Sequence, residues 1–200
     1  MVEANFLLAV LAPEKKMKRK SKREMVLDIY DREAMGEVTA REIAIINKAL
    51  VEEYGAGGAM EPGEIARVLV DEELPIRFEQ IFRMAGPREK YESLFNYLPR
   101  LETLAQAEAS IREIDALYRK FQRLGDKTGI SYARHTALIG KHEAERNAQK
   151  NGNPGPEECL EIAQWFTVWL QTPDLFEQWL QIRQATQDYR SRFTKTDSGT

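Results

Sequence analysis

Apolar residues recur every three or four positions along this chain, and the longest such pattern runs from Leu101 to Lys150. This spacing is the period of one helix face, so the segment predicts two long helices that fold back on each other around residues 125–129. The apolar positions of the first helix are Leu104, Ile111, Ile114, Leu117, Tyr118, Phe121 and Leu124. The second helix has smaller residues, including Ala133, Ala137 and Ala144, which let another backbone approach closely. A hairpin of this kind buries its apolar faces only when other segments pack on it.

Shorter helical patterns cover most of the remaining chain. Thr39 and Glu42 form a predicted capping box, and prolines at positions 62, 75, 87 and 99 each open or close a short helix. The predicted helices outside the hairpin cover residues 22–35, 40–54, 62–73, 75–86, 87–98, 157–171 and the stretch after Thr172, which is the predicted N-cap of the last helix. The chain is therefore predicted to be all-α, an irregular bundle of about nine helices built around the long central hairpin.

The distribution of charge separates an arm from a body. Residues 14–23 contain seven of the 29 basic residues and one of the 32 acidic residues, which leaves 22 basic and 31 acidic residues elsewhere. Residues 1–23 are accordingly predicted to be a flexible basic arm, and residues 24–193 a single helical domain that could be divided into 24–99 and 100–193. Residues 194–200 are predicted to be a loose tail. The sequence leaves open whether Met1 or Met17 is the true start.

Cysteine usage and hydropathy bear on the compartment. Cys159 is the only cysteine, so the chain cannot form an internal disulfide or a thiolate metal cluster. The longest apolar run, Phe6–Ala12, has seven residues, whereas a membrane-spanning helix needs about 20. These features predict a cytoplasmic protein without a membrane partner.

The segment over residues 61–85 offers a nucleic-acid hypothesis. It begins with Glu-Ile-Ala-x-x-Leu at Glu64–Leu69 and continues through a short turn into a helix with exposed polar positions, and it resembles a helix-turn-helix unit. The resemblance implies a DNA-binding regulator that would also use the basic arm, although Asp71, Glu72 and Glu73 in the turn repel phosphate. The candidate nucleic-acid residues are Lys18, Arg19, Lys20, Lys22, Arg23, Arg77, Gln80 and Arg83.

Residues of a catalytic or metal site do not come together in the sequence. His135 and His142 are seven positions apart, so they lie about 10 Å apart along a helix and cannot bind one metal ion together. They are expected to be solvated polar residues. The glycine-rich loop at residues 55–59 lacks the preceding strand that a phosphate-binding loop requires. No cofactor or metal is predicted, and an enzyme with a site in a helical cleft is the third hypothesis, which is not favoured.

All three tryptophans lie in the last two predicted helices, at Trp165, Trp169 and Trp179. One interpretation places the three rings in the core against the central hairpin, near Leu117, Tyr118 and Phe121, because stripes at helical spacing are usually buried. The other interpretation makes one or more of them an exposed anchor for a partner. The leading functional hypothesis is a protein that binds macromolecules, with another protein or a second copy of itself as the partner, and nucleic acid as the alternative.

Overall fold

The structure, a computed structural model, describes residues 19–85, 98–150, 152 and 154–194. These residues form eight α-helices, and the described part of the chain contains no β-strand. The helices are α1 (Lys22–Arg32), α2 (Ala40–Tyr54), α3 (Pro62–Asp71), α4 (Phe78–Ala85), α5 (Leu104–Arg123), α6 (Lys127–Ala148), α7 (Pro156–Gln171) and α8 (Phe176–Thr194). The helical prediction is confirmed, with eight helices rather than about nine. The predicted helix at residues 87–98 lies outside the described residues except for Leu98, which is not helical.

Helices α1 to α4 enclose the first of two hydrophobic clusters together with one side of α5 and α6. The two loops that join α1 to α2 and α3 to α4 are tied by an isolated bridge between Val38 and Ile76. In this bridge Val38 donates to the carbonyl of Pro75 at 2.9 Å and accepts from the amide of Arg77 at 2.8 Å. The fully buried members of the cluster include Val26, Ile29, Ile43, Ile46, Leu50, Ile65, Leu69 and Ile81.

Helices α5, α6, α7 and α8 enclose the second cluster. Its buried side chains include Ile111, Ile114, Tyr118, Ile162, Trp165, Phe166, Trp169, Phe176 and Leu180. Helix α6 packs against α3 and α4 on one side and against α5 and α7 on the other, so it separates the two clusters. Small residues on several faces of α6 let these neighbouring helices approach closely. The sequence of α6 therefore determines how the other helices pack around it.

Two glycines show how closely the helices approach at α6. A Cβ added to Gly140 would lie 2.5 Å from the ring of Phe166 on α7, and one added to Gly63 on α3 would lie 2.3 Å from the amide nitrogen of Thr128. The hydroxyl of Ser131 donates to the carbonyl of Gly63 at 2.8 Å across the same contact. Any side chain at these glycines would therefore push α6 away from its neighbours.

One predicted side-chain cap at a helix start is present in the structure, and another is not. The capping box of α2 is confirmed, because Thr39 accepts from the first turn while Glu42 accepts from the Thr39 amide at 3.0 Å. Thr172 takes the predicted N-cap position, but of the 3-10 turn that leads into α8, and its side chain does not cap that turn. Its hydroxyl donates back to the carbonyl of Val168 at 3.0 Å, and residues 173–175 form a 3-10 turn before α8 begins.

Candidate functional site

The basic residues considered for nucleic acid are engaged within the chain. Lys20 lies 2.6 Å from Asp28, Arg23 contacts both Asp71 and Glu72, and the Lys22 ammonium donates to the carbonyl of Gly57 at 2.7 Å. The other pairs are Arg19 with Glu53, Arg77 with Glu37, and Arg83 with Glu79. Gln80 is half-buried, and Lys18 lies outside the described residues. Each of these surface cations therefore stands beside an acceptor, which leaves little uncompensated positive charge around α3 and α4.

The segment at residues 19–23 lies against the body. The hydroxyl of Tyr54 donates to the carbonyl of Lys20, and the guanidinium of Arg19 lies 4.4 Å from the centre of the Tyr54 ring. Helix α1 begins at Lys22, so the arm boundary predicted at residue 23 falls inside a helix. Residues 1–18, which hold the rest of the predicted arm, lie outside the described residues.

Two of the three tryptophans are buried. Trp165 and Trp169 expose 2% and 0% of their surface, so neither is accessible to a partner in this fold. Trp169 packs edge-on against Tyr118, with ring centres 5.4 Å apart, as the core interpretation expected for one of the rings. The rings do not all converge there, because Trp165 lies under the guanidinium of Arg183 and Trp179 stacks on Phe176. Leu117 and Phe121 pack in the other cluster.

A buried carboxylate that the sequence analysis missed holds Trp169 in place. Asp115 on α5 accepts a hydrogen bond from the Trp169 indole at 3.0 Å and another from Arg119 at 2.6 Å. The bond to Asp115 raises the pKa of Arg119, which also reaches the carbonyl of Pro173. The only signal in the sequence was the four-residue spacing of Asp115 and Arg119. This network is structural, because it connects α5 to the chain between α7 and α8.

The two histidines differ in their surroundings. His135 stacks on Phe78, with ring centres 4.9 Å apart, and burial lowers its pKa to about 4. The expectation that both histidines are solvated is therefore wrong for His135. His142 lies 3.3 Å from Glu73 and 3.2 Å from Glu145. Within the described ranges, no group of three or more His, Cys, Asp or Glu residues is placed to hold a metal ion.

Two surface clefts bring charged side chains together. One, of about 200 Å³, lies where the end of α3 meets α6 and α7, and its cations Arg134 and Lys141 are paired with Asp71 and Glu73. The other, of about 370 Å³, lies between α5 and α8 and is lined by Arg112, Arg183 and uncharged residues of α8 together with Glu108. In both clefts the charged side chains serve as ion-pair partners for one another or for nearby helices, an arrangement that stabilises helix contacts.

The outward face of α8 differs from the rest of the surface. Leu175 is the last residue of the 3-10 turn that leads into α8, and Trp179, Ile182 and Thr186 follow it at steps of four, three and four residues, which places the four on one stripe. Ile182 is 68% exposed and Leu175 is 53% exposed, while Trp179 is half-buried. We call these four residues the α8 seam. The sequence analysis identified only Trp179 here, although the four-three-four spacing was visible in the sequence.

Apart from Asp174 beside Leu175, whose side chain is 69% exposed, the exposed side chains that the structure describes around the α8 seam are uncharged. These uncharged neighbours are Gln178, Gln181, Gln184 and Ala185. The two charged residues in this stretch turn toward the body: Glu177 pairs with Arg112 on α5 at 2.7 Å, and Arg183 pairs with Glu161 on α7. Burial lowers the pKa of Arg183, as expected for a guanidinium held between helices. In a chain with 30% charged residues, three helical turns without an outward charge form a distinct surface.

Neither sequence nor structure comparison links the chain to a known protein. It matches no protein-family model, no curated protein and no solved structure. No helix in the described residues is both long enough and apolar enough to cross a membrane.

Proposed function

We propose that this protein works by binding another protein chain, and that the α8 seam is the contact. The observation that carries the proposal is the exposure of Leu175 and Ile182 on a stripe whose described exposed neighbours, with the exception of Asp174, are uncharged. Exposed apolar residues are common singly, but an apolar stripe with a rim of uncharged polar residues is typical of an interaction site. Trp179 supplies the aromatic anchor, because part of its ring remains in solvent.

The spacing of the seam favours a helix as the partner. Steps of three and four residues are the pattern by which one helix inserts its side chains between those of another. Glutamines at the rim can donate and accept hydrogen bonds without the cost of burying a charge. In this proposal α5 and α6 form the central hairpin of an irregular bundle, and this scaffold holds α8 through Asp115, Arg119 and Arg112. The lone, buried Cys159 supports a reducing compartment such as the cytoplasm.

A site-specific photo-cross-linking experiment tests this function. A photoactivatable phenylalanine derivative replaces Ile182 in one variant and Lys48 on α2 in the matched control, where the side chain is 79% exposed. In cells that produce the protein, the probe at position 182 is expected to give a discrete adduct that Leu175→Glu abolishes. No adduct at position 182, or an equal yield of the same adduct from position 48, would show that the α8 seam is not the contact.

A further inference from the structure

We infer that the partner of the α8 seam is the α8 seam of a second copy of this chain, packed antiparallel; this inference rests on the proposed function. The seam reads the same in both directions, since its steps are four, three and four residues. When two identical helices run antiparallel, one register therefore places every seam residue opposite a seam residue. Trp179 then meets Ile182 of the other copy, and Leu175 meets Thr186 of the other copy. The two central layers are large and apolar, and the two outer layers are smaller.

The charge distribution makes the α8 seam a face on which two copies can meet. Outside residues 14–23 the chain has 31 acidic and 22 basic residues, so two copies repel each other over most of their surfaces. At the α8 seam this repulsion is reduced, because Glu177 and Arg183 are paired with Arg112 and Glu161. The exposed Asp174 lies beside one end of the seam, so an antiparallel pair places the two Asp174 side chains at opposite ends. A surface that selected an acidic or basic partner would instead carry the opposite charge at its rim. An uncharged rim of glutamines is compatible with its own copy.

Symmetry makes the same contact self-limiting. A two-fold arrangement uses the same patch on both copies, so it closes as a dimer and leaves no seam exposed for a third chain. The seam extends over 12 residues, from Leu175 to Thr186, or about 16 Å of helix, which is short for a specific interface. The cleft between α5 and α8 adjoins the seam through Gln181, Gln184 and Ala185 and adds area at its edge. We therefore expect a reversible dimer that dissociates on dilution.

Cysteine cross-linking tests both the partner and the direction of the helices. The variants Leu175→Cys and Thr186→Cys are made as separate proteins with tags of different size. Each variant alone, and a mixture of the two, is treated with a short thiol cross-linker. In the antiparallel register, position 175 faces position 186 of the other copy, whereas like positions lie about 16 Å apart along the helix. The expected product is a mixed dimer that exceeds either homodimer at least tenfold. The unsubstituted chain is the control for Cys159, which is buried and should not react.

The outcomes separate this inference from the proposed function. Homodimers of Leu175→Cys and of Thr186→Cys without a mixed product would mean parallel helices and would overturn the inference. The inference would also be overturned if no cross-linked dimer formed and the unsubstituted chain remained monomeric at every concentration. In that case the photo-cross-link at position 182 decides the proposed function independently: an adduct with a different protein preserves the function and excludes the second copy. An adduct between two copies of this chain, together with the mixed cysteine dimer, supports both.

Discussion

The carboxylate of Asp115 on α5 accepts a hydrogen bond from the indole nitrogen of Trp169 on α7 at 3.0 Å, with both side chains buried. Trp165, one helical turn earlier, is buried as well, but its indole nitrogen has no acceptor among the residues that the structure describes. The two tryptophans therefore form a natural pair for measuring what this hydrogen bond contributes.

Replacing Trp169 should destabilise the protein more than replacing Trp165. Both Trp→Phe changes remove a similar volume, but Trp169→Phe also removes a donor from a buried carboxylate, and a lost partner of this kind costs about 1–3 kcal/mol. Chemical denaturation of Trp169→Phe and Trp165→Phe measures the difference in the free energy of unfolding. Equal losses in the two variants would show that the bond to Asp115 contributes nothing to stability.

A methyl group at Gly140 should weaken the contact between α6 and α7. The added Cβ would lie within 2.5 Å of the Phe166 ring, so either the ring or the helix has to move. Overpacking of this kind typically costs about 1–3 kcal/mol. The matched control is Gly152→Ala, where nothing lies within 4 Å of the added carbon. Thermal melts should show a clear loss for Gly140→Ala only, and a stable Gly140→Ala variant would mean that α6 and α7 are less closely packed than described.

Acid should destabilise the protein through His135. Its pKa in the folded protein is about 4, below the ordinary value of 6.5, so the unfolded chain binds the proton first. Stability is therefore lost as the pH falls from about 6.5 to about 4, and the difference between the two pKa values corresponds to roughly 3 kcal/mol. The free energy of unfolding of His135→Phe should vary less with pH over this range than that of the parent. An unchanged pH dependence in His135→Phe would assign the effect to other groups.

Duplex DNA is expected to bind weakly and without using α3 and α4. Arg77 and Arg83 are paired with Glu37 and Glu79, so the double variant Arg77→Ala/Arg83→Ala should bind DNA as the parent does. Any binding through residues 1–18 should disappear between about 50 and 200 mM salt, because it depends on released counterions. Fluorescence anisotropy across this salt range makes the comparison. Loss of salt-resistant binding in the double variant would instead support the helix-turn-helix hypothesis. A deletion that tests the arm for DNA binding should remove residues 1–18 only, since Lys22 and Arg23 belong to α1.

The sequence predicted the helices well because their spacing and caps are local properties. Two examples are the capping box formed by Thr39 and Glu42 and the proline at the start of α3, since each depends only on residues within one helical turn. The sequence did not predict which faces meet. Trp165 and Trp179 are as apolar as Trp169, and only the tertiary arrangement decides that Trp165 is covered by Arg183 while Trp179 reaches the surface. The prediction for His135 was wrong for the same reason, since its neighbour Phe78 lies 57 residues earlier in the chain, on a different helix.

The sequence predicted only part of the candidate site. Trp179 was identified from its residue type, but Leu175 and Ile182 were not identified as candidates, because an apolar stripe is usually buried. Exposure distinguishes the two faces of α8: Phe176 and Leu180 point into the second cluster and Trp179 packs at its edge, whereas Leu175 and Ile182 are exposed. Such a distinction requires knowing which side of the helix the body occupies.

Sedimentation velocity of the parent and of Ile182→Glu over a range of concentrations is the most direct test of the α8 seam as a dimer contact. Ile182 is 68% exposed, so a glutamate there should leave the melting temperature unchanged while placing two like charges in the central layers of the dimer. Gln164→Glu, at an exposed position on α7, is the matched control for added charge. The parent and Gln164→Glu should shift from monomer to dimer as concentration rises, and Ile182→Glu should raise the dissociation constant at least about tenfold. A parent that remains monomeric throughout, or an Ile182→Glu variant that dimerises as well as the parent, would contradict the assignment.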